Sequence, residues 1–402
     1  GVNDTAVIGG TATGDVTEDQ SPSNLTTSGV LTISDADLGD GSFIAQPSVA
    51  GNNGYGTFTL DATGNWTYTA ADNQAVIQHL GAGQSLTDSF TAKSLDGTAQ
   101  QTVTVTIHGQ NDAPSIAAAT LPAFDEDTAQ TPVSVASMFA GKFSDIDNGS
   151  SLAGIAVNLS SGPSSDIVGT WQYSTDNGSH WSSIGPFGQS NMVLVLSTAT
   201  LLKFVPVQDY NGGASISAYG IDDSYTGGFT GASPVTLDFS AANSTGGSTP
   251  FSAAQTSIST TVNAVDDAPR FSNLGPAAAA TEQTSTVLDS DLNATVFDPE
   301  LHQLAFTGGN WAGATLTVAR HGGANDEDSF GIDSTLGSSI FTVSGNQLQA
   351  GGHTFATFSN VDGALTINFT SAAAVASDNL VNSVLERITY TNTSDNPPSS
   401  VQ

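Results

Sequence analysis

Between Gln101 and His108 the chain reads Gln-Thr-Val-Thr-Val-Thr-Ile-His, polar and apolar residues in alternation, and Thr256 to Val265 repeats the pattern. A period of two puts every second side chain on one face, as in a strand of a half-buried sheet. Other apolar runs are short and punctuated by turn residues. Thr57 to Leu60 and Trp66 to Thr69 flank Asp61-Ala62-Thr63-Gly64-Asn65, while Trp171 to Thr175 and Ser179 to Ile184 flank Asp176-Asn177-Gly178. Both read as hairpins with glycine at a positive-φ position. The most apolar stretch, Asn191 to Val205, is interrupted by Ser, Thr and Lys, and so predicts a core strand pair, not a membrane span. Helix signals are few. One is a turn capped by Asp72 that runs through Leu80 and stops at Gly81; the other is a short helix over about 378–387 with Leu380, Val384, Leu385 and Ile388 on one face. Many short strands with little helix predict an all-β chain of antiparallel β-sandwiches.

A short phrase recurs along the chain: Asn3-Asp4-Thr5-Ala6, then Asn111-Asp112-Ala113-Pro114, then Asp266-Asp267-Ala268-Pro269. The last two copies follow the alternating strands directly, and proline there stops a strand and stiffens the link to whatever follows. Three sandwich domains in tandem are predicted, over 1–110, 111–265 and 266–402.

Composition sharpens this picture. Against 38 Asp and Glu stand only 6 Lys and Arg, for a net charge of −32, and 32 of the acids are Asp. Split at the linker phrases, the segments carry −11, −11 and −10. Such evenness fits an array of like units better than an enzyme with an appended module. Six scattered cations cannot neutralise a phosphate backbone, so nucleic acid is not the partner. The absence of cysteine removes thiolate zinc sites, disulfides and cysteine nucleophiles. Neither a signal peptide nor a membrane-inserting segment is read in this chain.

The acids themselves recur in order. Each segment has an early Glu (Glu18, Glu126, Glu282) and, 16 to 19 residues later, a paired acid: Asp35-Ala36-Asp37, Asp145-Ile146-Asp147, and Asp298-Pro299-Glu300. A single Asp-x-Asp reads most simply as a turn. Three clusters repeated in one order point instead to a hard cation, Ca²⁺, which takes six to eight oxygens. Crowded carboxylates without metal repel by roughly 4 kcal/mol per pair at 4 Å and an effective dielectric near 20, and a cation removes that repulsion.

On these residues the chain resembles the calcium-binding linkers of cadherins and bacterial cadherin-like repeats. The first segment looks like a VCBS repeat of giant, RTX-type bacterial surface adhesins, through Gly54-Tyr55-Gly56-Thr57-Phe58-Thr59-Leu60, Gly64-Asn65-Trp66-Thr67-Tyr68 and Thr87-Asp88-Ser89-Phe90-Thr91. The second is similar to another repeat of those proteins through Trp171-Gln172-Tyr173-Ser174-Thr175-Asp176 and Asp209-Tyr210-Asn211-Gly212. The third resembles their longer cadherin-like repeats through Gly313-Ala314-Thr315-Leu316-Thr317 and Ile388-Thr389-Tyr390-Thr391-Asn392. The resemblance implies an extended array of Ig/cadherin-like sandwiches, with calcium shared between neighbouring repeats. One site would combine Glu18, Asn111, Asp112, Asp145 and Asp147; a second, Glu126, Asp266, Asp267, Asp298 and Glu300. Asn3, Asp4, Asp35 and Asp37 would form half a site with a preceding domain. The second site departs from the pattern, with Asp266 in place of Asn and Glu300 in place of Asp.

The function so implied is a calcium-rigidified spacer of a secreted adhesin on a Gram-negative cell surface, active in adhesion and biofilm and not an enzyme. No metalloprotease, hydrolase or phosphate-loop motif occurs. His302 near Glu300, and His321 near Asp326-Glu327-Asp328, are the acid–base pairs left to consider. The rivals are a polysaccharide-binding module that stacks sugars on Trp66, Trp171, Trp181 or Trp311, and a subunit of a filament or surface layer. Trp66 and Trp171, set in alternating strands, are expected in the core. The last segment, ending Asn396 to Gln402, reads as a sandwich short of its final strand.

Overall fold

The computed structural model describes residues 2–20, 23–159, 167–185, 188–275, 278–303 and 308–395. The terminal stretch Asn396 to Gln402 lies outside them. Two compact units divide the chain, Gly1–Asn263 and Ala264–Gln402, and both are built almost wholly of strands.

The first unit contains three separate cores. In its amino-terminal part, a sheet ordered Val7–Gly10, Asn24–Ser34, Asn65–Ala71, Gly56–Leu60, Gln46–Ala50 faces a sheet of Thr13–Thr17, Gln100–His108 and Ser85–Lys93. The first predicted hairpin forms with Leu60 opposite Trp66. Its turn is held by Asp61, which accepts from Thr63 N and Asn65 N, both at 2.9 Å, while Gly64 sits at φ +96°. Inward residues of the alternating strands (Phe58, Trp66, Tyr68, Phe90, Val103, Val105 and Ile107) make the core.

Trp66 is fully buried and wedged between two glycines. A Cβ on Gly29 would lie 2.6 Å from its Cζ2, and one on Gly14 2.9 Å from its Cη2. The indole Nε1 donates to Thr11 O at 2.8 Å. Glycine at 29 is therefore a packing requirement, since no positive φ demands it. Gly29→Val is expected to destabilise this sandwich by about 1–3 kcal/mol by overpacking, a loss that urea unfolding followed by tryptophan fluorescence would register as a lower midpoint.

The antiparallel expectation needs one amendment. Thr13–Thr17 runs parallel to the last strand, with Thr13 opposite Thr104, and Ala119–Thr120 and Phe124–Asp125 run parallel to Thr256–Asn263. In both sandwiches of this unit an early strand thus points the same way as the closing strand, so the chain enters at one end and leaves at the other. Domains joined end to end need that geometry.

In the second part of this unit, one sheet runs Ala119–Thr120, Thr256–Asn263, Gly212–Asp222, Leu152–Asn158, Met192–Ser197, Thr236–Asp238. Facing it are Val133–Ser134, Leu201–Pro206, Gly169–Ser174 and Ser182–Ser183. The apolar stretch at 191–205 does form two strands, Met192–Ser197 and Leu201–Pro206, but they lie in different sheets and do not pair. The unbroken apolar run Met192 to Leu196 has a physical cause: its strand is buried on both faces. Leu194 and Leu196 enter the main core with Trp171 and Phe204, whereas Val193 and Val195 enter a second one with Ile221 and Phe251. That outer core lies beneath the long excursion 223–255.

The second unit packs a five-stranded sheet (Thr315–Ala319, Ala364–Phe369, His353–Val361, Gln347–Ala350, Thr342–Ser344) with the three strands Thr286–Val287, Ile388–Asn392 and Asp328–Ile332. The helix Asp378–Leu385 lies near its predicted place and contributes Leu380, Val384 and Leu385 to the core. The other predicted helix is the single turn Ala75–Gln78, with Gln74 and not Asp72 at its N-cap. Asp72 instead accepts from Asp19 N. Three of the four tryptophans, Trp66, Trp171 and Trp311, are buried. Trp181 is half-buried with the Lys203 ammonium 4.0 Å over its ring. Tryptophans thus make no exposed row for sugar stacking.

Candidate metal centre

One hydrogen bond occurs three times. The linker Asp donates its backbone N–H to the second acid of the paired motif: Asp4 to Asp37 Oδ2 at 2.6 Å, Asp112 to Asp147 Oδ2 at 2.9 Å, and Asp267 to Glu300 Oε2 at 3.1 Å. In the first two, the pair is also braced internally, with Asp37 N donating to Asp35 Oδ1 at 2.7 Å and Asp147 N to Asp145 Oδ1 at 3.0 Å. Such Asx turns hold the two acids of each pair in one tight loop.

The third copy explains its own departure. Pro299 has no N–H to donate, and the chain turns there into the helix Pro299–Gln303, whose Leu301 N is capped by Asp298 Oδ1 at 3.0 Å. The acid that meets the linker is displaced into that helix, and the additional methylene of Glu300 restores its reach to Asp267. Asp298 is buried, Asp267 and Glu300 half-buried, and Asp266 exposed. Burial first, then the charges of Asp298 and Asp267, raises the Glu300 carboxyl above its usual range. Glu126 belongs to the first unit, where its backbone N–H bonds Asn263 O at 3.1 Å.

The fullest cluster lies within the first unit, where its two sandwiches meet. The carboxylate of Glu18 is wholly buried and accepts from Gln110 N at 2.9 Å, while Gln78 Nε2 bridges Glu18 and Asp19 at 3.4 and 3.3 Å. Asp147 is 7% exposed, and Asp112 and Asp145 are half-buried beside it. Asn111 Nδ2 is held by Asp112 O, Asp222 Oδ2 and Thr249 O at 2.9, 3.2 and 3.2 Å, leaving Oδ1 as the oxygen free to bind a cation. An open cleft of about 630 Å³ borders the cluster, lined by His79, Asp112, Asp145, Asp147 and Asn148 among others.

The electrostatics are those of acids crowded without a counter-charge. Burial, opposed by the bond from Gln110 and reinforced by Asp19, Asp112 and Asp147, pushes the Glu18 carboxyl up to about 7. Burial with the charges of Asp19, Asp147 and Asp145 pushes Asp112 up to about 6. Asp147 and Asp222 are also raised, burial leading in both. Asp112 Oδ2, Asp147 Oδ1 and Asp72 Oδ1 are buried with no hydrogen-bond partner. An orphaned buried carboxylate oxygen carries a full desolvation penalty, and a bound cation relieves it. Oxygen-only donors, most of them anionic, fit a hard divalent ion such as Ca²⁺. Among the described residues of this unit, no three of these acids place oxygens mutually within 4.8 Å. The carboxylates ring the joint without closing on one point, as like charges do.

All five residues expected at this joint meet there. The structure adds four that the motif spacing missed: Asp19, Asp72, Asp222 and, at the amino-terminal half-site, Asp96, whose Oδ2 accepts from Asn3 Nδ2 at 3.0 Å. Asp222 ends the strand Gly212–Asp222, and Asp96 lies in the turn after Ser85–Lys93. His302 Nδ1 bonds Asp378 Oδ2 at 2.6 Å, and Asp328 pairs with Arg320 at 2.8 Å.

Fold and site together define a class: β-sandwich modules joined through acid-lined linkers. Residues 3–109 match the family model of the bacterial cadherin-like domain, a span that includes Asn3, Asp4, Glu18, Asp35 and Asp37. No curated protein matches the chain. Among solved structures it is similar to protocadherin gamma B7 extracellular cadherin domains 1–4, at 12% identity over 99% of this chain and 75% of that one, TM-score 0.38. It is also similar to Drosophila N-cadherin EC1–4 (13%, 92% and 68%, TM-score 0.23) and to the titin I-band fragment I67–I69 (7%, 92% and 89%, TM-score 0.29). Below a TM-score of 0.5, none of the three decides fold or function.

Proposed function

We propose that this chain is a calcium-rigidified spacer of a large, secreted bacterial cell-surface adhesin, composed of sandwiches at 1–110, 111–265 and 266–402. The match of residues 3–109 to a bacterial cadherin-like domain supports an adhesion or spacer module. The observation that carries the calcium reading is the orphaned pair Asp112 Oδ2 and Asp147 Oδ1, buried beside Glu18 where the two sandwiches of the first unit meet. Ca²⁺ supplies the positive charge that lets these oxygens stay ionised. The chain's part is to aim them: Glu18 from one sandwich, Asn111 and Asp112 from the linker, Asp145 and Asp147 from the next, with Asp222 behind Asn111.

The second joint is assigned Glu126, Asp266, Asp267, Asp298 and Glu300, and the half-site the exposed Asn3 and Asp4 with the half-buried Asp35 and Asp37. In this reading the partners are neighbouring repeats, no reaction is catalysed, and the place of work is outside the cell, where calcium is millimolar. Binding energy then becomes bending stiffness, because the ion ties residues of two domains. Small-angle scattering in calcium and in chelator tests this. A narrower distribution of interdomain distances in calcium is the expected result; identical curves would remove the proposal.

A further inference from the structure

The excursion 223–255, which includes the edge strand Thr236–Asp238, connects Gly212–Asp222 to Thr256–Asn263 in the second sandwich, where the first sandwich joins Ser85–Lys93 to Gln100–His108 by a short turn at 94–99. Both connections hold a linker. In the first sandwich, Asp96 Oδ2 accepts from Asn3 Nδ2 at 3.0 Å and Thr98 Oγ1 from Ala6 N at 3.0 Å. In the second, Gly247 O accepts from Ala113 N at 2.8 Å and Thr249 O from Asn111 Nδ2 at 3.2 Å. We infer that residues 223–255 form a strap that sets the 109–114 linker in its ligand-presenting conformation without any cation.

The strap's start is held by Asp222 Oδ1, which accepts from Ser224 N at 2.8 Å, but its main anchor is apolar. Phe251 is buried in the outer core and stacks edge-on with Tyr225 and Phe239, ring centroids 5.4 and 4.9 Å away. Asp222 N donates to Pro250 O at 3.1 Å and Ser252 N to Gly220 O at 3.0 Å, so the strap's end is stitched to the strand edge beside the linker. Its tip is a tight turn in which Gly246 N donates to Phe251 O at 2.9 Å, with Gly246 and Gly247 at φ +72° and +57°. That turn directs the Gly247 carbonyl at Ala113. The aromatic anchors lie in a hydrophobic core, which calcium does not touch, so linker order and cation binding are separable.

This strap needs no cation to exist, yet its consequence for affinity rests on the calcium reading above. A pre-set linker leaves less ordering to be done on binding. Gly247→Pro is the discriminating variant, because proline cannot adopt φ +57°, and position 247 is exposed with open space around a Cβ. Gly247→Asn is the conservative partner, since asparagine tolerates this conformation.

The measurement is amide hydrogen exchange of Ala113 in chelator, with Val105 as a core reference. Wild type and Gly247→Asn are expected to protect Ala113 about 100-fold or more over an unfolded chain, and Gly247→Pro to lose about ten-fold or more of that while Val105 is unchanged. Calcium affinity by calorimetry is expected to fall about ten-fold in Gly247→Pro only. An unprotected Ala113 in wild type in chelator overturns the strap whatever the variants do, as does equal protection in Gly247→Pro. If calcium binds none of the three proteins while the Ala113 contrast holds, the strap stands and the calcium reading falls.

Discussion

In millimolar calcium the first unit is expected to melt roughly 8–16 °C higher than in excess chelator. A ligand at about 1,000 times its Kd stabilises the folded state by about 4 kcal/mol, and each kcal/mol moves a domain of this size by about 2–4 °C. Asp147→Ala should abolish that response, because it removes both an orphaned oxygen and the acceptor of the Asp112 N–H. In chelator the same variant should melt within a few degrees of wild type, since one of several crowded, buried carboxylates has gone. A purely structural role for Asp147 predicts the reverse: a large loss in both solutions and a calcium response left intact. Calorimetry on the two proteins in the two buffers separates these outcomes.

Without calcium, stability of the first unit is expected to fall as pH rises from 5 to 8, on the order of 2 kcal/mol. Glu18 is pushed up to about 7 from an ordinary 4.5, and Asp112 to about 6 from 3.8, burial leading in each case. Between the ordinary and the raised values, the folded state holds protons that the unfolded chain has already released. The contribution of these two groups is therefore greatest below about pH 4 and is lost progressively as pH rises to about 7. Calcium reverses the slope, because the ion needs ionised oxygens and protons compete with it. Melting temperatures against pH should cross between the two series. Parallel curves would mean that Glu18 and Asp112 do not face the cation. Glu18→Gln should flatten most of the slope in chelator, since Gln cannot ionise and keeps an oxygen for Gln110 N.

The acid-lined joint could be read from the sequence because its parts are local. Asp145 and Asp147 lie two apart in one Asx turn, and the linker phrase directly follows an alternating strand whose period needs no tertiary knowledge. Hairpin turns such as Asp61 to Asn65 were equally plain, for the same reason. Long-range features were not. Asn191 to Val205 was read as paired strands because periodicity cannot tell burial between two sheets from burial beneath a strap. Asp72 was read as a helix cap because local sequence offers an acid before a helical turn, while its partner, Asp19 N, lies 53 residues back. Asp222 was missed since nothing near it shows that Asn111 stands 111 positions away.

By itself the sequence determined the β class, the repeating linkers and the acids at most of the first joint, because strand alternation, turn chemistry and charge are properties of neighbouring residues. Only the tertiary structure decided which acids crowd together, which of their oxygens are left without a partner, and that a strap holds the linker. Those depend on sheets closing over cores, and that closure brings carboxylates from distant segments into a space where water no longer screens them.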